Sequence, residues 1–312
     1  MSEAAFADLA RRLPAFDPDA PCIDDGGYCP YYQFDFLAEF QGCRHSLGQL
    51  GCGTSDLAVQ CWQQPDAQGT LYLVHGLFDH VGIYGHLIRF GLAQSFNVVA
   101  FDLPGHGLSS GARAEIEDFA QYRQAIETVL AATAAFPGPR HVIAQSTGGA
   151  AVMDYLQRRD CVFTGVVLLA PLIWPQGWRR VSLAHSILRP LLRNIPRSFA
   201  ENSNDQGFLR FLRQDPLQPR VITVVWLSAL KRWLEDFLQR PPCSTPLLVL
   251  QGDDDTTVDW RRNLPELQRR FPRARIETLA GARHHLANEH PPIRDPMLAR
   301  IAAYLADSAT PA

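Results

Sequence analysis

Short apolar runs that end in glycine or proline alternate along this chain with amphipathic stretches of helical period. That alternation predicts an α/β fold, a mostly parallel central sheet with helices on both faces. A length of 312 residues suits one large domain carrying an insertion. Hydrophobic residues at 46% and charged residues at 20% give the balance of a globular protein rather than a disordered one.

Residues 1–40 are rich in Pro, Asp and aromatics and have no clear period, so they are expected to form an irregular arm packed through Tyr31, Tyr32, Phe34 and Phe36. From residue 55, "LAVQCWQQ" alternates with period two, and "TLYLVHG" reads as a buried strand ending in glycine. "YGHLIRFGLAQS" follows as a helix and "NVVAFDLPGHG" as a strand running into a glycine-rich loop. "IEDFAQYRQAIETVLAATAAF" is a long amphipathic helix stopped by "PGP". "HVIAQ" and "GVVLLAP" are strands on either side of a helix that begins at Ser146. The rhythm returns with "PLLVLQG", "RRNLPELQRRF", "ARIETLAG" and "PMLARIAAYLA". Between the two halves, residues 171–243 hold helix-like pieces and no convincing strand. The expected organisation is an arm at 1–40, a core at 41–170 and 244–312, and a helical cap at 171–243.

The stretch "HVIAQSTGGAAVMDYL" carries the first chemical motif. Ser146 lies where a strand gives way to a helix, with Ala144 two residues before it and Gly148 two after. A nucleophile held on so sharp a turn needs small residues at both positions, because larger side chains would collide. A serine hydroxyl also needs a histidine base, and the histidine an orienting carboxylate. Downstream, "LLVLQGDDDTTVDW" ends a strand in glycine followed by acids, and "LAGARHHLANE" ends the next strand with two histidines. The order serine, acid, histidine is that of α/β hydrolases, and strand ends of this kind are where open α/β sheets bind ligands. Two backbone N–H donors for an oxyanion are expected from Thr147, after the serine, and from Leu77, in the loop after "LVHG". From residue types alone, any of Asp253, Asp254 and Asp255 could be the acid, and either His284 or His285 the base.

"HGLFDHVGIYGHL", "DLPGHGLSSG", "AQSTGG", "LQGDDDTTV" and "GARHHLANE" together resemble the monoglyceride lipase and lysophospholipase group of the α/β-hydrolase superfamily, also labelled serine aminopeptidase-like. The resemblance covers roughly residues 55–170 and 243–307, with the insert in the position of the family's cap. It implies Ser146 as nucleophile, Asp255 as acid and His284 as base, with Leu77 and Thr147 as oxyanion donors. The acid falls three residues after Gly252, and the base follows G-x-x-H spacing from Gly281. His80, Tyr84 and Gln145 are expected to border the pocket. The family usually writes G-H-S-x-G, so Ala144 and Gln145 depart from its pattern. The implied activity is hydrolysis of a small-molecule or lipid ester, with no cofactor and no metal. Peptidase, thioesterase and general carboxylesterase activities use the same machinery, and a non-catalytic binding protein of this fold is the alternative of another class.

A net charge of −3 gives no reason to expect a nucleic-acid partner. The start of the chain lacks the pattern of a signal peptide, no apolar run reaches a membrane span, and seven cysteines without C-x-x-C spacing read as reduced thiols. A cytoplasmic location is therefore expected. The insert carries eleven cations against five acids, a formal +6, interleaved with Trp174, Trp178, Ile187, Leu188, Leu191, Leu192, Trp226 and Trp233. Such a segment is expected to contact anionic membrane peripherally, at the inner surface.

Overall fold

A computed structural model describes residues 1–22, 25–189, 192–197 and 200–309. Eight strands form the central sheet: β1 (Arg44–Cys52), β2 (Ser55–Gln63), β3 (Gly69–Val74), β4 (Phe96–Phe101), β5 (Arg140–Gln145), β6 (Gly165–Leu169), β9 (Leu247–Gly252) and β10 (Ala274–Leu279). Their order is β1-β2-β4-β3-β5-β6-β9-β10; β1–β2 and β2–β4 are antiparallel and the rest parallel. Successive residues of the central strands face opposite ways, so each face has its own core. Tyr72 and Val74 pack on one side with α5 (Ala120–Ala132) and α6 (Thr147–Leu156). Leu71 and Leu73 pack on the other with α4 (Gly85–Ala93) and α11 (Pro291–Ala309). α10 (Trp260–Arg270) completes the crossover between β9 and β10. Strands buried on both faces explain why they read as continuous apolar runs.

The N-terminal arm is more regular than expected. It contains α1 (Glu3–Arg12), α2 (Tyr28–Tyr32) and α3 (Phe36–Glu39), and it buries Phe6, Tyr28, Tyr32, Phe34 and Phe36, with Tyr31 half-buried. Strand β1 escaped the sequence reading because polar residues occupy its buried positions. The arm and its neighbour satisfy them: Ser46 donates to the Pro18 carbonyl, Gln49 to the Ala10 carbonyl, and His45 pairs with Gln60 at 3.1 Å.

The insert is not wholly helical. β7 (Asn194–Pro196) and β8 (Val221–Thr223) form a small antiparallel ribbon among α7 (Trp178–Leu188), α8 (Gln206–Gln214) and α9 (Val224–Phe237). The ribbon is too short to show a period, and its second strand, "VIT", runs straight into α9, which Thr223 caps. α9 is fused to the core: Trp226 donates to the Tyr122 hydroxyl and Trp233 to buried Asp154, which also receives Arg123 and Arg240. Trp174, Trp226 and Trp233 are thus core residues, whereas Leu183, Ile187 and Leu192 stay 65%, 63% and 41% exposed. Leu191 and the side chain of Leu188 lie outside the described residues. Among the described residues, no helix is long and apolar enough to cross a membrane.

One close approach fixes the middle of the fold. A Cβ on Gly148 would lie 2.4 Å from the Val74 carbonyl oxygen and 2.5 Å from that of His75. Only glycine lets α6 seat against the end of β3. Gly148→Val should therefore lower stability by about 1–3 kcal/mol or more, read as a shift in the urea midpoint; an unchanged midpoint would refute the packing argument.

Candidate active site

The site forms along the C-terminal edge of the parallel strands, where β3, β5 and β9 end. Ser146 sits between β5 and α6 at φ +53°, a conformation that side-chain-bearing residues adopt rarely. Its amide donates to the Leu169 carbonyl at 2.9 Å, and its own carbonyl accepts from Leu172 at 3.0 Å, so the end of neighbouring strand β6 and the segment just after it hold the turn on both sides. α6 is buried along its whole length, and its N-terminus, with the partial positive charge of the first amides, lies at the serine.

His284 brings the second and third groups. Its Nε2 lies 2.9 Å from the Ser146 Oγ and its Nδ1 2.8 Å from Asp255 Oδ2. The other Asp255 oxygen accepts from the Thr257 and Val258 amides at 2.7 and 3.2 Å, and Gln251 Nε2 donates to Oδ2 at 2.9 Å. Those two amides turn Asp255 inward, while Asp253 and Asp254 are exposed. Asp253 has another task, accepting the Gly281 amide and so tying the loop after β9 to the loop after β10. Burial by itself would raise the Asp255 pKa, but the facing imidazole and the donated hydrogen bonds outweigh it and hold the carboxyl below its usual range. Burial likewise pushes His284 down, and the charge and hydrogen bond of Asp255 outweigh it, leaving the ring above its ordinary value.

His285 points the other way. Its Nε2 lies 3.3 Å from Asp79 Oδ1, behind the loop that follows β3. Asp79 also accepts from the Tyr84 hydroxyl at 3.0 Å and the Gly76 amide at 3.2 Å. The Asp79 amide returns to the Gly76 carbonyl, closing a tight turn around Leu77 and Phe78. A Cβ on Gly76 would stand 3.2 Å from Ser146 Cβ, so this turn lies directly against the serine. Leu77, the next residue of that turn, is half-buried, and Thr147, directly after Ser146, is buried as the first residue of α6.

The residues expected at the pocket border have supporting positions instead. Fully buried His80 pairs with Asp215, Tyr84 with Asp79, and Gln145 Nε2 donates to the His284 carbonyl at 2.9 Å. Each directs at least one polar atom to a partner inside the protein, as burial favours. His75 and His106 are also structural: the Leu103 amide donates to His75 Nε2 at 2.9 Å, and burial lowers the His75 pKa to about 3. Sequence reasoning missed Asp79, Asp215 and Gln251. Asp79 had a usable clue, a lone acid in an otherwise apolar loop between two candidate residues. The other two meet their partners only in the folded chain.

The family described as serine aminopeptidase, S33, matches residues 65–291. A phospholipase of Bacillus subtilis, YtpA, is 25% identical over 207 residues, covering 64% of this chain and 80% of the relative. A monoacylglycerol lipase of Mycolicibacterium smegmatis is 32% identical over 222 residues, covering 67% and 78%. Among solved structures, the monoacylglycerol lipase of Paleococcus ferrophilus superimposes with a TM-score of 0.69 at 25% identity, covering 81% of this chain and 99% of that one.

His284 can accept a proton from Ser146 only as the neutral ring. Because Asp255 raises the ring above its ordinary 6.5, labelling of Ser146 by a fluorophosphonate should fall as pH drops through a midpoint above that value. Asp255→Asn leaves the lowering effect of burial and should move the midpoint down. The same midpoint in both proteins would separate Asp255 from the titration.

Proposed function

The chain belongs to the serine aminopeptidase S33 family of α/β hydrolases and is an ester hydrolase; we propose that it cleaves lipid-like carboxylic esters, monoacylglycerols or lysophospholipids, through Ser146, His284 and Asp255. The observation that carries this reading is the unbroken series of contacts from Ser146 Oγ to His284 to Asp255, at 2.9 and 2.8 Å. Ser146 attacks the ester carbonyl as His284 takes its proton, and Asp255 holds the imidazole tautomer and stabilises its positive charge. The Leu77 and Thr147 amides receive the oxyanion, the alcohol leaves with the proton from His284, and water activated by the same ring releases the acid.

The acids of the insert favour an ester over a peptide with a free N-terminus, whose amine would need a carboxylate near the site. Asp215 is buried against His80, Asp205 caps α8, Asp236 pairs with Arg158 and Arg240, and Glu201 with Arg283. Glu235 is exposed on α9.

Ser146→Ala should cost on the order of 10⁶ in turnover, as loss of a triad nucleophile does, and Asp255→Asn about 10⁴ by leaving the histidine in the wrong tautomer. Asp253→Asn and Asp254→Asn should stay near wild type. Turnover measured over monoacylglycerols, lysophospholipids, thioesters and aminoacyl amides checks both site and substrate. Near-wild-type activity in Ser146→Ala, or preference for the amides, would overturn the reading.

The insert is proposed to meet its lipid at an anionic surface. Leu183 and Ile187 lie one turn apart on α7, exposed, with Arg179 and Arg180 in the preceding turn and Arg189 just after. Apolar area flanked by cations is the composition of an interfacial helix. Binding to vesicles containing anionic lipid should exceed binding to neutral ones and should weaken from about 0.05 to 0.5 M salt as the Debye length shrinks. Equal binding to both would remove the electrostatic contribution.

A further inference from the structure

The N-terminal arm precedes the segment that matches the family, yet it reaches the centre of the molecule. The Tyr32 hydroxyl donates to Asp215 Oδ1 at 3.0 Å, and the other oxygen of Asp215 lies 2.7 Å from His80 Nε2. The Gly82 amide donates to His80 Nδ1, so Nε2 carries the hydrogen that Asp215 accepts. The His80 and Asp215 side chains are fully buried. Three segments distant in sequence, arm, loop and insert, therefore meet at one carboxylate.

What they hold is the loop after β3. His80 lies three residues beyond Leu77, just past the tight turn that Asp79 closes on Gly76. Nearby Asp102 fixes the Val81 amide at 2.7 Å, so the far side of the loop is anchored to the core through Val81 and to the insert through His80. The Tyr32 ring packs edge-on against both His80 and Phe211 of α8, with centroid separations of 5.2 and 5.9 Å. The Leu217 amide also donates to Asp215 Oδ1, which leaves that oxygen shared between the insert's own backbone and the arm. Without the Tyr32 hydroxyl, the carboxylate loses one of the donors that set its orientation toward His80.

We propose that the arm is a positioning element of the active site: Tyr32 orients Asp215, which through His80 fixes the loop presenting the Leu77 amide to the oxyanion. The inference rests on the ester-hydrolase reading for the role of Leu77. An oxyanion donor works only within a few tenths of an ångström of its place, and losing one costs 10²–10³ in turnover in other serine hydrolases.

The test uses the full-length chain. Tyr32→Phe removes only the hydroxyl and keeps the packed ring. Its readouts are kcat and KM on a short-chain nitrophenyl ester, the rate of phosphonylation of Ser146 by a fluorophosphonate, and the thermal midpoint. The expected result is a fall of about tenfold in both kcat and phosphonylation rate, a fraction of the loss of a whole donor, with KM within about twofold. Asp215→Asn should lower both rates, and the double variant should lose less than the product of the single losses, since both act through His80. Wild-type rates in folded Tyr32→Phe would overturn the inference, as would multiplicative losses in the double variant. If Asp215→Asn does not fold, Tyr32→Phe decides alone. Phosphonylation of the wild type without ester hydrolysis would sink the substrate reading and leave the Tyr32→Phe rate to judge the arm. A wild type that is not phosphonylated would sink both.

Discussion

The tight turn at Ser146 is the constraint on which the rest of the site depends. A residue with a side chain at φ +53° costs about 1–3 kcal/mol, and it persists because its surroundings leave no alternative. Leu169 at the end of β6 and Leu172 just after it hold the turn, and Gly148 lets α6 press onto the carbonyls of Val74 and His75. Relaxing the turn would pull α6 out of the core it fills. The strain therefore places the hydroxyl within reach of His284 and brings the start of α6 beside it.

Around that turn, buried carboxylates do most of the positioning. Asp255 faces His284, Asp79 gathers Gly76, Tyr84 and His285, Asp102 takes the Val81 and Leu108 amides, and Asp215 joins His80 to the insert. Each has several donors, which is the condition for a buried charge to be tolerated. The result is a loop held from the sheet, from the insert and from its own turn, directly against Ser146. His75 and His106, burial-lowered to about 3 and 4, add packing and hydrogen bonds without adding charge.

The insert divides into two parts with different physics. α9 is locked to α5 and α6 by its tryptophans and by the arginines around Asp154, and the end of α8 is tied down through Asp215. α7 packs inward through Trp178 and Val181 but presents Leu183 and Ile187 to solvent. Large side chains so exposed lose the stabilisation that burial gives the rest of the core, and these two are the most exposed large apolar side chains among the described residues of the insert.

The sequence by itself determined the alternation of strands and helices, the order of serine, acid and histidine, and the small residues that the elbow at Ser146 requires. These are local properties: period, turn chemistry and side-chain size can be read without knowing any distant partner. Strand β1 and the ribbon of the insert were not legible, the first because the arm covers and satisfies its polar residues, the second because three residues show no period. Three adjacent acids and two adjacent histidines likewise could not be separated by residue type. The resemblance implied Asp255 and His284, and the tertiary structure supplies the contacts that set those two apart from their neighbours. The Thr257 and Val258 amides turn Asp255 inward, and the loop after β10 gives His284 to Ser146 and His285 to Asp79. It also turned His80, Tyr84 and Gln145 toward partners inside the protein, and it joined His80 to Asp215 and Tyr32. A buried polar group takes whichever complementary partner the packed chain brings within about 3 Å, and that partner leaves no mark in the local sequence.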